Sequence, residues 1–215
     1  MPHYLAELVL EGRETLVVGG GRVARRKIEG LLATGARVTV LAPTLDPVVA
    51  HWVEAGRVAH WSGVFSAEVL AQRPKFLLVF AATDRADLNR EVARLCGAEG
   101  ILCNSADDPA SSGFLVPAVV RRGEVVVAIG TGGRSPALSR VLKERIDDWL
   151  EPGWAALAEV FGAWRERVVE VIPQAAARQS FWRVTAIRAA CAGEEGALDG
   201  KDADAWFRQR LQERE

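Results

Sequence analysis

The sequence predicts an α/β fold: a parallel sheet covered by helices, then a hairpin-and-helix segment, then a helical C-terminal part. Three observations carry that expectation. Strand-like and helix-like segments alternate through the first half with short loops between them, which implies a parallel sheet. A glycine-rich turn, Gly19-Gly20-Gly21, joins the first strand to the first helix. After Asp107 the alternation stops, and "SSGFLVPAVVRRGEVVVAIGTGG" reads as two successive strands without a crossover helix.

Taken in order, Thr15–Val18 is a short buried strand, and Val23–Thr34 a helix closed by Gly35. Val38–Leu41 is the second strand and Leu45–Ala55 a helix ending at Gly56. Arg57–Trp61 is strand-like, Phe76–Ala81 is a wholly apolar strand, Leu88–Glu99 is helical before Gly100, and Ile101–Asn104 is another strand. The expected hairpin pairs Phe114–Val120 with Glu124–Gly130 around Arg121-Arg122-Gly123. Ser135 then caps a helix with Pro136 at its first position, running toward Trp149 until Pro152-Gly153 interrupts it. Beyond, Leu150, Trp154, Leu157, Phe161, Trp164, Val168 and Val171 recur at alternating spacings of four and three, one apolar helix face. Five of the seven tryptophans lie from Trp149 onward, so this part should owe its core or an interface to aromatic packing. The tail after Gly193 is polar, with a last helix near Trp206. These boundaries predict three parts: 1–112, a Rossmann-like nucleotide-binding domain; 113–148, a dimerisation and substrate segment; and 149–215, a helical C-terminal domain.

Composition narrows the function classes. Of 215 residues, 49% are hydrophobic and 26% charged, as in a soluble globular protein. A formal net charge of −1 offers no electrostatic ground for binding nucleic acid or an anionic membrane. No apolar run has the length of a membrane span, and "MPHYLAELVLEGRE" lacks the basic start and cleavage pattern of a signal peptide, so the chain is expected in the cytoplasm. Cys96, Cys103 and Cys191 are odd in number and form no CxxC pair, which favours buried free thiols over disulfides. His3, His51 and His60 have no metal-ligand spacing, so no resident metal is expected.

The first candidate site is the glycine turn. Gly19-Gly20-Gly21-Arg22-Val23-Ala24 satisfies GxGxxA directly after a strand and before a helix. Glycines there permit a tight turn and let backbone N–H groups approach a pyrophosphate at the helix N-terminus. Arg22, Arg25, Arg26 and Lys27 suit a polyanion, or simply form the solvated face of the helix. Dinucleotide-binding units usually end their second strand with an acid that grips the ribose. Here the strand runs into Ala42, Pro43 and Thr44 instead. Backbone groups and Thr44 could serve the ribose, the cofactor could be NADP, or the ligand could have been lost; the residues alone leave all three open.

Several ordered motifs resemble one family. "VVGGGRVARRKIEGLLATGARVTVLAP", "FAATDRADLNREVARLC", "LCNSADDPASSGFLVPAVV" and "AIGTGGRSPALSRVLKERI" together resemble the dehydrogenase module of sirohaem synthases, which also occurs alone as precorrin-2 dehydrogenase, in some members with sirohydrochlorin ferrochelatase activity. The match spans roughly the first three-quarters of the chain, with the C-terminal helices a looser fit. The family also tends to lack the ribose acid. The resemblance implies NAD as cofactor, contacted by Gly19, Gly21, Arg22, Val23, Pro43, Thr44, Thr83 and Asn104. It implies NAD-dependent oxidation of precorrin-2 to sirohydrochlorin, with Asp107 of "CNxxDxP" as the catalytic proton acceptor. Asp107 and Asp108 also suit a turn before Pro109, and a small residue often stands at the second of these positions. In bifunctional members the same aspartate is thought to assist insertion of ferrous iron.

For the tetrapyrrole substrate, precorrin-2 or sirohydrochlorin, the resemblance points to Thr131, Gly132, Gly133 and Arg134 of "GTGGRSP", with Arg121 and Arg140 pairing its carboxylates. Arg122 and Lys143 lie in the same segment. Thr131 matches a position that carries a hydroxyl in some relatives, where it can be a phosphorylation site. A homodimer is expected, hiding the hairpin's edges and completing a cleft between the halves. Two other readings compete: an NAD(H)-sensing regulatory dimer, and a chelatase with little dehydrogenase activity.

Overall fold

The computed structural model describes residues 3–71, 75–191 and 203–212. The chain divides into two compact units, Met1–Val116 and Pro117–Glu215.

The first unit contains a five-stranded sheet made of β1 (Glu14–Val18), β2 (Arg37–Leu41), β3 (Ala59–Trp61), β4 (Leu78–Ala81) and β5 (Leu102–Ser105). The strand order is β3-β2-β1-β4-β5, and every pairing is parallel. Alternate side chains enter opposite faces, as the two-residue period of a strand requires. Val17, Val38, Val40, Leu78 and Phe80 join Ala24, Ile28 and Leu31 of α1 (Arg22–Leu32) and Val49 of α2 (Pro47–Glu54). Leu16, Val18, Leu41, Val79 and Ala81 meet Val92, Ala93 and Cys96 of α3 (Ala86–Ala98) and Leu70 of a 3₁₀ turn, Ala67–Ala71. Both faces are thus covered, which is why these strands are apolar at consecutive positions rather than at every second one.

The order reverses direction between β1 and β4: successive strands step outward to β3 on one side and then to β5 on the other. In open α/β sheets, such a switch point opens a crevice beyond the carboxyl ends of the strands. The helices start where local chemistry allows. Asp46 caps α2, its Oδ1 accepting from the Val48 N–H at 2.9 Å, with Pro47 as the first helical residue. α1 ends in a turn at Gly35, whose φ of +72° suits glycine.

The second unit begins with a hairpin of β6 (Ala118–Arg122) and β7 (Val125–Ile129). Its register differs from the sequence expectation. Arg122 pairs with Val125, so Gly123-Glu124 forms the two-residue turn and both arginines belong to the strand. Gly123 has φ +55° and, among the described residues, no non-glycine residue has a positive φ, so Glu124 does not, the pattern of a type II′ turn. The first strand starts at Ala118 rather than Phe114: Pro117 has no N–H to give a ladder. Phe114 instead packs edge-on against Phe80 in the first unit, with centroids 5.4 Å apart.

Helix α4 (Pro136–Trp149) lays Leu142 and Ile146 on Val120 and Ile129 of the hairpin, joined by Leu150. Helices α5 (Gly153–Val171), α6 (Ala175–Cys191) and α7 (Ala203–Gln212) build an aromatic core. Phe207, fully buried, touches the rings of Phe161, Trp164, Phe181 and Trp182 at 5.3–5.8 Å. The expected apolar face ends differently: Val171 is half exposed, and Ile172 takes the buried place, because the helix stops at Val171 and the chain turns. Trp149 is 65% exposed and belongs to no buried cluster. Cys191 ends α6, but its side chain lies outside the described residues, as does the polar stretch from Gly193 to Asp202.

Candidate functional site

Three loops of the first unit gather at the carboxyl end of the sheet, and glycine is what lets them meet. Gly19 has φ +116°, and a Cβ there would collide with the Ala82 carbonyl and press on the Thr83 nitrogen. The loop after β1 is therefore seated directly on the end of β4. A Cβ on Gly20 would run into the Thr44 carbonyl and the Ala42 side chain. The Asp46 N–H donates to the Gly20 carbonyl at 2.7 Å, fastening the loop after β2 over the glycine turn. Arg25 reinforces this closure through Asp46 at 3.6 Å.

Gly21 is different. Its φ of −87° suits any residue, and a Cβ there would meet nothing within 4 Å. The fold itself does not require glycine at this position. Gly21 is the N-cap of α1, where it supplies no side-chain hydrogen bond, and no acid occupies the first turn. The first intrahelical bond runs from the Arg25 N–H to the Gly21 carbonyl, which leaves the N–H groups of Arg22, Val23 and Ala24 without an intrahelical acceptor. Unpaired donors, a positive helix end and room where a side chain would stand suit the pyrophosphate of a dinucleotide. Arg22, Val23, Pro43 and Thr44 are exposed beside this opening, while Ala24 is fully buried against the sheet, the packing role of the motif's last position.

Of the four basic residues of α1, two are committed within the fold. Arg25 is paired with Asp46, and the Lys27 ammonium lies 5.4 Å from the Phe80 ring centroid. Burial, with help from Arg26, holds the Lys27 pKa below the usual lysine range.

Next to the glycine turn lies a polar network. Thr83 follows β4, and Asp107 follows β5. Between them stands Asn89 of α3, fully buried. Its Oδ1 accepts from the Thr83 N–H (3.1 Å) and hydroxyl (2.8 Å); its Nδ2 donates to the Thr83 carbonyl and to Asp107 Oδ1, both at 3.1 Å. The Ser105 hydroxyl also donates to Asp107 Oδ1, at 3.0 Å. Asp107 is exposed as a residue, yet one of its oxygens is tied from two sides. Asp108 is used elsewhere. Its Oδ1 accepts from the Ala110 N–H at 3.0 Å, making the turn before Ser111 and Ser112. The two neighbouring aspartates are thus separated by geometry, and only Asp107 joins the network.

Asn104 is not brought to this rim. It lies inside β5, is 6% exposed, and donates its amide to the Phe114 carbonyl at 3.0 Å, because the strand continues to Ser105. The two buried thiols of the unit, Cys96 and Cys103, are free, and contact with Cys103 together with burial pushes the Cys96 pKa up.

Sequence reasoning missed Asn89, although a signal was there. Along α3 the inward stripe is Asn89, Val92, Ala93 and Cys96. An amide at the head of an apolar stripe must find partners inside, and so marks a polar network.

The remaining candidates belong to the second unit. Arg121, Arg134 and Arg140 are exposed. Arg122 donates to Asp147 Oδ1 (3.0 Å) and to the Asp147 carbonyl (2.8 Å), so it fastens the hairpin to α4. Gly132 and Gly133 have φ of +62° and +75° and carry the chain into α4. At the start of that helix, two N–H groups have side-chain acceptors. Ser135 Oγ accepts from the Leu138 N–H, and Thr131 Oγ1 accepts from the Ser135 N–H, each at 3.2 Å. Among the described residues, no group of three or more His, Cys, Asp and Glu could hold a metal ion, and no helix is long and apolar enough to cross a membrane.

Comparison with known proteins agrees with this anatomy. The family model described as "Putative NAD(P)-binding" matches residues 7–118, and that of the "Sirohaem synthase dimerisation region" matches 153–211. Siroheme synthase 2 of Aeromonas salmonicida is 36% identical over 202 residues, which are 94% of this chain and 41% of that protein. Siroheme synthase of Gluconacetobacter diazotrophicus is 42% identical over 176 residues, 81% of this chain and 37% of that protein. The chain thus spans about two-fifths of the length of these curated relatives. Among solved structures, that of "SirC, precorrin-2 dehydrogenase" shares the fold, with a TM-score of 0.74, 24% identity, and coverage of 98% of this chain and 100% of the other. With more than half its length matched by the first model and most of the remainder by the second, the chain belongs to the NAD(P)-binding family that includes the sirohaem synthase modules.

Proposed function

We propose that the chain catalyses NAD-dependent dehydrogenation of precorrin-2 to sirohydrochlorin, in sirohaem biosynthesis. The observation that carries this reading is the placement of a tethered carboxylate, Asp107, beside Thr83 at the crevice that the glycine turn also borders. NAD⁺ would supply the hydride acceptor. Gly21 and the first N–H groups of α1 would hold its pyrophosphate, and Pro43 and Thr44 the ribose end in place of an acid. Oxidation removes two hydrogens from the macrocycle: one leaves with its electron pair to the nicotinamide, the other as a proton. Asp107 accepts that proton on Oδ2, since Oδ1 is engaged by Asn89 and Ser105.

Thr131, Gly132, Gly133 and Arg134, with Arg121 and Arg140, are proposed to bind the substrate's carboxylates, the arginines as charge partners. Residues 113–148 would serve substrate and dimer contacts and 149–215 form the helical part, giving a homodimer, in keeping with the dimerisation-region match. Dependence on NAD⁺ and the presence of free thiols suit the cytoplasm. A purely NAD(H)-sensing module would need no such base, whereas Asp107 is held in place by two donors. Anaerobic incubation of the purified chain with precorrin-2 and NAD⁺ tests the reading: NADH should form, and its absence refutes dehydrogenase activity. A parallel arm with sirohydrochlorin and ferrous iron, without NAD⁺, reports whether the same carboxylate also supports metal insertion.

A further inference from the structure

We propose that Asn89 is the positioning residue of the site: its amide fixes which oxygen of Asp107 is free to take a proton, and locks that carboxylate to Thr83 at the end of β4. The inference rests on the dehydrogenation reading above and deepens it.

The amide has one chemically allowed orientation. A backbone N–H and a hydroxyl, both of Thr83, point at one end of it, and a carbonyl and a carboxylate at the other. Turning the amide over would set oxygen against carbonyl and carboxylate oxygens, and NH₂ against an N–H. All the hydrogen-bonding capacity of a fully buried side chain is thereby consumed, two bonds at each end. A bond to Thr83 alone would satisfy a turn. The fourth bond, to Asp107, crosses from α3 to the loop after β5 and is not needed to shape either element. With Ser105 it places two donors on Oδ1, while among the described residues Oδ2 receives none.

On the α3 side, Asp84 is exposed and Arg85 is paired with Asp87 at 2.6 Å; on its own loop, Asp108 is engaged by Ala110. None of them makes a hydrogen bond or ion pair to Asp107, so Asn89 and Ser105 are the groups that set its environment.

Asn89→Asp is the near-isosteric test. It replaces the donor facing Asp107 with a second carboxyl, and two carboxyls sharing one site hold a proton between them to higher pH. In protein labelled at the aspartate carboxyl carbons, with the Asp107 signal assigned by its loss in Asp107→Asn, the last proton of the pair should leave at least about one pH unit above the Asp107 midpoint of the unaltered chain. The acid limb of turnover with NAD⁺ and precorrin-2 should move by the same amount. A structural role alone would lower turnover at every pH and leave the limb where it was; that result overturns the proposal, as does an unmoved carboxyl titration. If the carboxyl titration moves but the unaltered chain has no turnover, the dehydrogenation reading has failed and the positioning role falls with it, the tether alone surviving. Should Asn89→Asp not fold, the unaltered chain still decides. Its Asn89 side-chain amide resonances must shift with the midpoint of the Asp107 carboxyl, and flat signals across that range overturn the proposal.

Discussion

Two loops in this molecule look alike on paper and are built for opposite ends. Gly19-Gly20-Gly21 and Gly130-Thr131-Gly132-Gly133 each follow a strand and lead into a helix, α1 and α4. At α1 the cap is a glycine without a side-chain bond, the first turn has no acid, and the space where a Cβ would stand is open. At α4, Ser135 caps the helix with its own hydroxyl, and Thr131 takes the Ser135 N–H. The first loop gives its helix donors no side-chain partner; the second provides two. A glycine-rich turn before a helix thus keeps all of its first-turn donors available only where no Ser, Thr or Asp stands at the N-cap.

Substitutions can break or sharpen this contrast. Gly20→Ala should have the largest effect, because its Cβ meets the Thr44 carbonyl. We expect a loss of about 1–3 kcal/mol in chemical denaturation, as for other forced overpacking, together with loss of NAD⁺ binding. Gly21→Ala should separate the two roles of the turn. The free protein has room for the methyl group, so stability should fall by no more than about 1 kcal/mol, the cost of a poorer N-cap, while affinity for NAD⁺, measured by calorimetry, falls by roughly tenfold or more. If the affinity is unchanged, Gly21 does not border the cofactor. Ser135→Ala gives the mirror image: about 1 kcal/mol of stability lost with the cap, and NAD⁺ affinity unchanged.

The same contrast separates what is legible in the sequence from what is not. The first unit can be read because its signals are local. Apolar strands, Gly35 and Gly56 at positive φ after helices, and Asp46 before Pro47 each declare themselves within a few residues. The hairpin register is harder, because Pro117 and Gly123 pull the strands away from the limits suggested by hydrophobicity alone. At the site, Asp107 can be proposed from its motif, but its distinction from Asp108 depends on which of them faces α3, a tertiary fact. Asn104 differs from its expected place by one residue of strand length, enough to bury it. The place of Asn89 on an apolar stripe is legible, but its partners are not: no pattern of spacing connects residues 83, 89 and 107, and only the packing of α3 against the ends of β4 and β5 brings them together.

The glycine turn and the carboxylate at residue 107 serve, on this reading, one reaction while doing separate jobs. Asp107→Asn tests that division most directly, because an amide oxygen can still accept from Asn89 and Ser105 while having no basicity to offer. Measured anaerobically on one preparation, NAD⁺ affinity should be unchanged and NADH formation from precorrin-2 slowed by at least about a hundredfold. Full turnover in that variant, or a loss of NAD⁺ binding in step with turnover, would contradict it.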